Sequence, residues 1–265
     1  MAEHTLYAQP RVVTDVSDCY FYHTMDVPGY GRVEGPWDLR GKEAQYLGGV
    51  ALKGKRVLEL GTASGYLCFY MEGQGAQVVA YDLSPDQEWD MVPYSRLSDA
   101  QYRTMVNARK EHIRRLNNGF WLAHRANQSQ AKVVYGSVYE VPDGIGEVDV
   151  SVFGSLVIHL RDPLLALQKA ARLTRETVVV TDFCPSLLRF FDRVARSLGR
   201  GLPLIAFTPN YMTCEPTEAW WFPAPSFVGR VLGMLGFESS RISYSTYQCQ
   251  RKGRKLFTVV AYRAR

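Results

Sequence analysis

The chain has 265 residues, of which 46% are hydrophobic, which suits one large globular domain or one domain with an insertion. Its net charge of +5 is too small to indicate a nucleic-acid partner. No run of about eighteen apolar residues occurs, so no membrane span is predicted. The first ten residues lack the features of a secretion signal. Five scattered cysteines without a C-x-x-C pair favour free thiols in the cytoplasm and no metal site.

The N-terminal part, residues 1–53, is predicted to form a flap followed by a short helix. Aromatic residues surround Tyr22 and His23, and Trp37 follows a Gly-Pro turn. Trp37 either belongs to a lid over a pocket or simply packs the flap onto the core. The short helix is predicted from Glu43 to Leu52.

The stretch 56–82 shows the pattern strand, glycine turn, helix, strand. Its first apolar run is typical of a parallel strand buried on both faces. Gly61 and Gly65 allow a sharp turn and the close approach of a ligand to the backbone. The second strand ends at Asp82, about twenty residues beyond the turn, where a carboxylate can bind both hydroxyls of a ribose. This pattern predicts a nucleoside-containing cofactor.

Two residues of this stretch indicate which kind of nucleoside cofactor it binds. Ala63 stands where the dinucleotide fingerprint has its second glycine, which lets the backbone approach a pyrophosphate. Glu59 precedes the turn, and its carboxylate suits an ammonium group but would repel a phosphate. The pattern therefore favours a cofactor without a pyrophosphate.

The following elements continue the alternation of strands and helices. Residues 86–96 show no clear period, whereas apolar residues recur at helical spacing from Leu97 to Arg125, with a candidate break at 117–119. Further strands are predicted at Gln130–Tyr135, Val148–Phe153 and Thr177–Thr181, with a helix from Pro163 to Leu173.

The last third departs from this alternation. Residues 183–225 are rich in Pro, Trp and Phe and contain a helical stretch at 187–198, so we interpret them as a substrate cap inserted into the core. Ser226 is predicted to cap a helix that ends at Gly236. An antiparallel pair, 241–247 with 256–262, closes the chain. The chain is thus interpreted as a single domain, with a flap at 1–53, a cofactor-binding core at 54–182, the cap at 183–225 and the end of the core at 226–265.

The sequence Glu59-Leu60-Gly61-Thr62-Ala63-Ser64-Gly65 with the distal Asp82 resembles motifs I and II of the class I S-adenosylmethionine-dependent methyltransferases. The resemblance implies an α/β fold with a Rossmann-like, seven-stranded, mostly parallel sheet and a C-terminal antiparallel hairpin. It also implies an enzyme that uses S-adenosylmethionine and releases S-adenosylhomocysteine. The cofactor-binding residues that it implies are Glu59, Gly61, Thr62, Ala63, Gly65, Asp82, Leu83, Ser137, Val138, Phe153 and Gly154.

Further landmarks at 35–40, 154–163 and 210–223 resemble the branch that contains the tRNA wobble-uridine carboxymethyl transferases and related bacterial enzymes acting on small molecules. The tRNA enzymes have a Tyr directly before the loop histidine, where it helps to hold the added carboxylate of carboxy-S-adenosylmethionine. Ile158 occupies this position and cannot bind a carboxylate. This difference favours the plain cofactor and a small-molecule acceptor, such as a hydroxyl of a secondary metabolite, sugar or lipid-like compound. Two alternatives stay open: a tRNA-modifying enzyme and a non-catalytic cofactor-binding protein.

The candidate catalytic residues are histidines. His159 lies in the loop after the fourth strand, at the sheet edge where ligands of open α/β folds bind. It is either the base that accepts a hydroxyl proton or a structural side chain bonded to a nearby carbonyl. His23, together with Asp26, is a second candidate. Asp182 is a third, although an acidic residue at a strand end often caps a helix.

Aromatic residues of the flap and the cap are predicted to bind the substrate, which favours an acceptor with a ring or a long apolar part. They are Tyr22, Trp37, Tyr211, Trp220 and Trp221. Two basic clusters, at 109–115 and 251–255, either face solvent or hold an anionic substrate.

Overall fold

An eight-stranded sheet forms the centre of the molecule in a computed structural model, which describes residues 6–87, 89–199, 203–214 and 219–264. Its strands are β3 (Trp37–Asp38), β4 (Arg56–Leu60), β5 (Gln77–Asp82), β6 (Lys132–Tyr135), β7 (Val148–Gly154), β8 (Thr174–Phe183), β11 (Ser239–Cys249) and β12 (Lys252–Tyr262). Two small hairpins pair β1 (Met25–Val27) with β2 (Gly31–Val33), and β9 (Ile205–Phe207) with β10 (Trp221–Pro223). The segments 1–5, 200–202 and 215–218 of the predicted flap and cap lie outside the described residues.

The strand order is β3-β11-β12-β8-β7-β4-β5-β6. Strands β4 to β8 run parallel, and β12, β11 and β3 each pair antiparallel with their neighbour. The predicted α/β class, the mostly parallel sheet and the C-terminal hairpin are confirmed. The eighth strand was not predicted. It forms because Trp37 and Asp38 of the flap pair with Cys249 and Gln248 at the sheet edge.

Within the described residues, six helices surround the sheet: α1 (Glu43–Tyr46), α2 (Tyr66–Gly73), α3 (Asp99–Ala126), α4 (Pro163–Leu173), α5 (Ser186–Ser197) and α6 (Pro225–Met234). Apolar cores lie on both faces of the sheet. Along β4, Leu58 and Leu60 belong to the core that contains α4 and α6, whereas Val57 belongs to the core that contains α2. The burial of both faces explains the continuous apolar runs of the parallel strands.

Helix α3 is continuous, so the candidate break at 117–119 is wrong. The three residues instead bind other segments without interrupting the helix. The side-chain amide of Asn117 donates to the carbonyl of Leu83 at 3.1 Å, and that of Asn118 donates to the carbonyl of Asp18 at 3.1 Å. Gly119 leaves room for the N-terminal segment, since a Cβ there would lie 2.6 Å from the carbonyl oxygen of Tyr20.

Two predicted helix boundaries are also wrong. Helix α1 ends at Tyr46 rather than at Leu52, because Gly48 and Gly49 follow with φ angles of 65° and 67°, outside the helical range. Ser226 is not the N-cap of α6. The cap position is Ala224, and the proline that follows it takes the first helical position, where no backbone N–H is needed.

None of the helices in the described part of the chain is long and apolar enough to cross a membrane.

Candidate functional site

The glycine turn after β4 is built for a close approach to its backbone. Gly61, Ala63 and Gly65 have φ angles of 76°, 52° and 86°. Glycine adopts this left-handed region readily, whereas alanine does so at a cost. The amide of Gly61 donates to the carbonyl of Tyr81 at 2.8 Å, which holds the turn against the end of β5.

Asp82 faces this turn from the end of β5. One carboxylate oxygen accepts from the amide of Ala63 at 2.7 Å, and the other accepts from the amide of Leu83 at 2.8 Å. Burial raises the pKa of Asp82 to about 6, although these two hydrogen bonds oppose the shift. A carboxylate has about four acceptor positions, so each oxygen can still accept a bond from a ligand hydroxyl.

A cavity of about 320 Å³ opens at the carboxyl ends of the parallel strands, where ligands of such sheets bind. Six of the predicted site residues line it: Gly61, Asp82, Leu83, Ser137, Val138 and His159. The structure thus brings the turn, the acidic strand end, the loop after β6 and the candidate base to one cavity. Its other walls are Trp89, Asp90, Met91, Tyr102, Gly136, Tyr139, Leu156, Leu160 and Arg161.

The remaining predicted cofactor residues lie behind this wall rather than in it. Glu59 is only 3% exposed, and the Thr62 hydroxyl donates to it at 2.6 Å. Burial raises the pKa of Glu59 to about 8. Phe153 is fully buried in the core, and Ala63, Gly65 and Gly154 do not line the cavity either.

His159 ends a short 3-10 turn that starts at Val157. Asp182, fully buried at the end of β8, holds this turn by accepting from the amide of Ile158 at 3.1 Å. Burial raises the pKa of Asp182 to about 7. The His159 ring meets the ring of Trp89 edge to face, with centroids 6.2 Å apart. Asp182 therefore fixes the loop of His159 to the end of β8.

The segment after β5 supplies cavity residues that the sequence did not point to. The Asp90 carboxylate accepts from the hydroxyl of Tyr139 and, at 2.8 Å, from the amide of Arg161. It thereby joins the loops that follow β5, β6 and β7 above the cavity. The sequence does contain a signal for these residues, the cluster Trp89-Asp90-Met91 soon after Asp82. Because this stretch has no helical or strand period, the sequence does not show that these side chains face the cavity.

Trp220 and Trp221 fasten the cap to the loop of His159 without lining the cavity. The amide of Trp220 donates to the carbonyl of Ile158 at 2.8 Å, and its indole N–H donates to the carbonyl of Asp90 at 2.8 Å. The indole N–H of Trp221 donates to the carbonyl of Arg161 at 3.1 Å. Their direct contact with a substrate stays a prediction, whereas their contact with the loops is observed.

The other predicted residues lie away from the cavity lining. His23 is 9% exposed, its ring lies between those of Tyr22 and Tyr66, and burial lowers its pKa to about 4. The amide of Tyr22 donates to the Ser64 hydroxyl of the glycine turn at 3.1 Å. Trp37 lies in β3, and Tyr211 is 72% exposed. Tyr22 is thus the flap residue anchored directly to the turn.

Trp220→Phe should lower the free energy of unfolding by about 1 kcal/mol or more, because the carbonyl of Asp90 loses its donor and the smaller phenyl ring fills less of the buried position. Urea denaturation measures this change. Trp221→Phe is the matched control, and its effect should be smaller because the bond to Arg161 is exposed to water. Equal losses in both variants would mean that the Trp220 bond does not fasten the cap.

Comparisons with known proteins agree with this fold. Residues 39–230 match the model of the family described as "Methyltransferase domain". No match was found among proteins of curated function. Because the family match covers more than half of the chain, the chain belongs to this family. It is a methyltransferase that depends on S-adenosylmethionine.

Solved structures share the fold at low sequence identity. One is magnesium protoporphyrin IX methyltransferase from Synechocystis PCC 6803 with bound S-adenosylhomocysteine, at 15% identity and a TM-score of 0.51, covering 84% of this chain and 80% of that one. The N-terminal domain of EvdMO1, solved in the presence of S-adenosylhomocysteine and D-fucose, has 15% identity and a TM-score of 0.50, and the match covers 91% of this chain and 90% of that one. A SAM-dependent methyltransferase from Methanosarcina mazei has 12% identity and a TM-score of 0.50, and the match covers 79% of this chain and 92% of that one.

The residues around the cavity fit S-adenosylmethionine. Asp82 keeps acceptor capacity for two hydroxyls, and the apolar side chains of Leu83 and Val138 offer walls for a flat base. The turn at Gly61 allows close approach to the backbone. Which of these residues touch the cofactor stays a prediction.

Proposed function

We propose that this enzyme transfers the methyl group to a hydroxyl of a small molecule, with His159 accepting the hydroxyl proton. The observation that carries the proposal is the position of His159 in the wall of the same cavity as Asp82. Bound S-adenosylmethionine supplies a methyl group on a positively charged sulfur, which a nucleophilic oxygen can attack. The residues of this chain provide alignment, exclusion of water and a site for the released proton.

In this proposal, Asp82 holds the ribose hydroxyls at the end of β5. His159, on the loop fixed by Asp182 and Trp220, would take the proton from the acceptor hydroxyl as the oxygen–methyl bond forms and the sulfur–methyl bond of the donor breaks, which leaves S-adenosylhomocysteine. The buried Asp182 keeps this loop in place through the amide of Ile158. Asp182 and Trp220 are thus positioning residues, and His159 is the proposed catalytic residue.

A small acceptor suits this site better than a large one. The cavity is bounded by the loops that Asp90 joins. The hairpin of β9 and β10 lies against the loop of His159, because the amide of Trp220, directly before β10, donates to the carbonyl of Ile158. Among proteins of the same fold, one is a magnesium protoporphyrin IX methyltransferase, and the N-terminal domain of EvdMO1 was solved in the presence of D-fucose. We infer an acceptor with a ring or an apolar body and a hydroxyl group.

A methyl-transfer assay tests this function. The purified protein and S-adenosylmethionine are incubated with a panel of small hydroxylated ring compounds, and S-adenosylhomocysteine is quantified by mass spectrometry. Turnover with a panel member, lost in His159→Asn and kept in the matched variant His124→Asn, is the expected result. His124 lies on α3 and contacts the carbonyl of Ala131. Turnover on unmodified tRNA alone would overturn the proposal.

The cofactor preference separates this proposal from carboxymethyl transfer to tRNA. The Ile158 side chain offers no donor to an added carboxylate, which would lose water without gaining a charge-assisted hydrogen bond. Plain S-adenosylmethionine should therefore bind more tightly than carboxy-S-adenosylmethionine, by roughly five- to tenfold. Competitive isothermal titration calorimetry measures the ratio. Tighter binding of the carboxylated form would contradict the prediction and favour the tRNA function.

A further inference from the structure

Helix α5 turns an apolar stripe toward solvent. At about 100° per residue, Leu187, Phe190, Phe191, Val194 and Leu198, just beyond the helix end, fall on one side of the helix. They are 68%, 60%, 50%, 41% and 72% exposed, respectively. We call these five residues the α5 stripe. Contiguous apolar exposure of this kind is unusual on the surface of a protein without a partner there.

The side of α5 that faces the protein contains its charged pair. Asp192 is fully buried, and its carboxylate lies 3.0 Å from Nε of Arg196, which also donates to the Tyr244 hydroxyl at 2.9 Å. Leu188 and Ala195 are the apolar residues on this side. A surface helix normally buries its apolar face and exposes its charges. On α5 the two large phenylalanines stay outside while the Asp192 carboxylate is buried, so packing among the described residues does not explain the stripe.

A basic turn adjoins the start of this helix. Arg251 lies in the turn between β11 and β12, and Lys252, Arg254 and Lys255 belong to the first residues of β12. All four are exposed, and we call them the basic turn. The Arg254 guanidinium lies 5.8 Å from the ring centre of Phe183, three residues before α5. The sequence from 239 to 265 contains no Asp or Glu, and the α5 residue Asp192 is neutralised by its ion pair. The stripe and the positive charge therefore occur on neighbouring parts of the surface.

We propose that the α5 stripe and the basic turn dock the enzyme onto an anionic lipid surface. Apolar side chains on a short helix enter the boundary between headgroups and acyl chains, while Lys and Arg meet the anionic headgroups. A nucleic acid would explain the basic turn but not the two exposed phenylalanines. A second copy of the chain fits less well, because a helix of 12 residues is small beside the roughly 20–30 residues a side of a stable interface.

The docking does not depend on the identity of the acceptor, so it can be tested without turnover. Flotation with vesicles of phosphatidylcholine, and with vesicles of equal parts phosphatidylcholine and phosphatidylglycerol, measures the bound fraction of the full chain. The protein should bind the anionic vesicles much better than the neutral ones. Phe190→Ser/Phe191→Ser and Lys252→Glu/Arg254→Glu should each weaken this binding about tenfold. Higher salt should weaken it as well, because it screens the charges.

Two matched variants control for general effects. Val12→Ser/Met234→Ser removes two exposed apolar side chains elsewhere, and Lys53→Glu/Arg125→Glu makes the same change in net charge at other exposed positions. Both should bind vesicles like the wild type, and equal melting temperatures show that all variants are folded. Absence of binding to anionic vesicles, or equal loss in test and control variants, would overturn the proposal. So would a wild-type dimer that Phe190→Ser/Phe191→Ser dissociates and that does not bind vesicles.

Discussion

His159→Ala should lower kcat about 10²–10⁴-fold, the usual contribution of a positioned acid or base. The affinity for S-adenosylmethionine should stay nearly the same, because His159 lines the cavity from the loop after β7 and not from the ribose end at Asp82. Single-turnover methyl transfer with an acceptor from the hydroxyl panel measures the rate, and isothermal titration with S-adenosylhomocysteine measures the affinity.

The control for this prediction is His124→Ala, which removes a histidine of α3 outside the cavity and should leave kcat unchanged. An acceptor carbon or nitrogen that is already nucleophilic would need little help from a base. A His159→Ala rate within about threefold of the wild type would therefore remove the proton-accepting role and leave alignment as the contribution of this loop.

Asp82→Ala should weaken the binding of S-adenosylhomocysteine by about 1–3 kcal/mol, which is roughly 5- to 150-fold in Kd. The substitution removes the acceptor for the ribose hydroxyls and also leaves the amides of Ala63 and Leu83 without their partner. Asp82→Asn keeps one acceptor oxygen, so its loss should be smaller. Calorimetric titration gives all three affinities.

Asp162→Ala is the matched control, because Asp162 caps α4 by accepting from the amide of Leu165 at 2.9 Å and does not line the cavity. It should cost stability but not cofactor affinity. If the two alanine variants weaken binding equally, or if Asp82→Ala binds as tightly as the wild type, Asp82 does not hold the ribose.

The affinity of the wild type should also depend on pH. Burial raises the pKa of Asp82 to about 6, so its carboxylate gains a proton as the pH falls through that value. The Kd for the cofactor should therefore rise between pH 7 and pH 5, and it should stay flat over this range in Asp82→Asn. The free energy of unfolding should depend on pH in the opposite direction from the cofactor affinity. The folded chain binds this proton more tightly than the unfolded chain, so burial of Asp82 lowers stability as pH rises from about 4 to about 6.

The parallel core could be predicted because its signals are local. The strand, turn and helix from Arg56 to Gly73 follow from an apolar run and two glycines within ten residues. Asp82 could be placed opposite the turn because parallel neighbours bring their carboxyl ends to one edge. The loop of His159 could be placed at this edge by the same rule.

The part of the cavity wall around Trp89 and Asp90 could not be predicted, because its structure depends on residues far apart in the chain. Trp89 and Asp90 occupy a stretch without a period, and the indole of Trp220, 130 residues later, binds the carbonyl of Asp90. The edge strand β3 likewise depends on pairing of Trp37 with Cys249. Neither local propensity nor periodicity contains information on such pairs.

The pairing of β3 with β11 bears on self-association of the chain. Strand β11 spans 11 residues, yet β3 covers only two of them. Nearby, the Lys42 ammonium donates to the carbonyl of Thr246 at 2.8 Å, so a charged side chain occupies a backbone acceptor that another strand could use. Lysines at sheet edges discourage the addition of a foreign strand. Residues 37–42 thus cover one end of this edge and place a lysine beside the next residues, and a fragment that lacks them would lose both of these obstacles to strand addition.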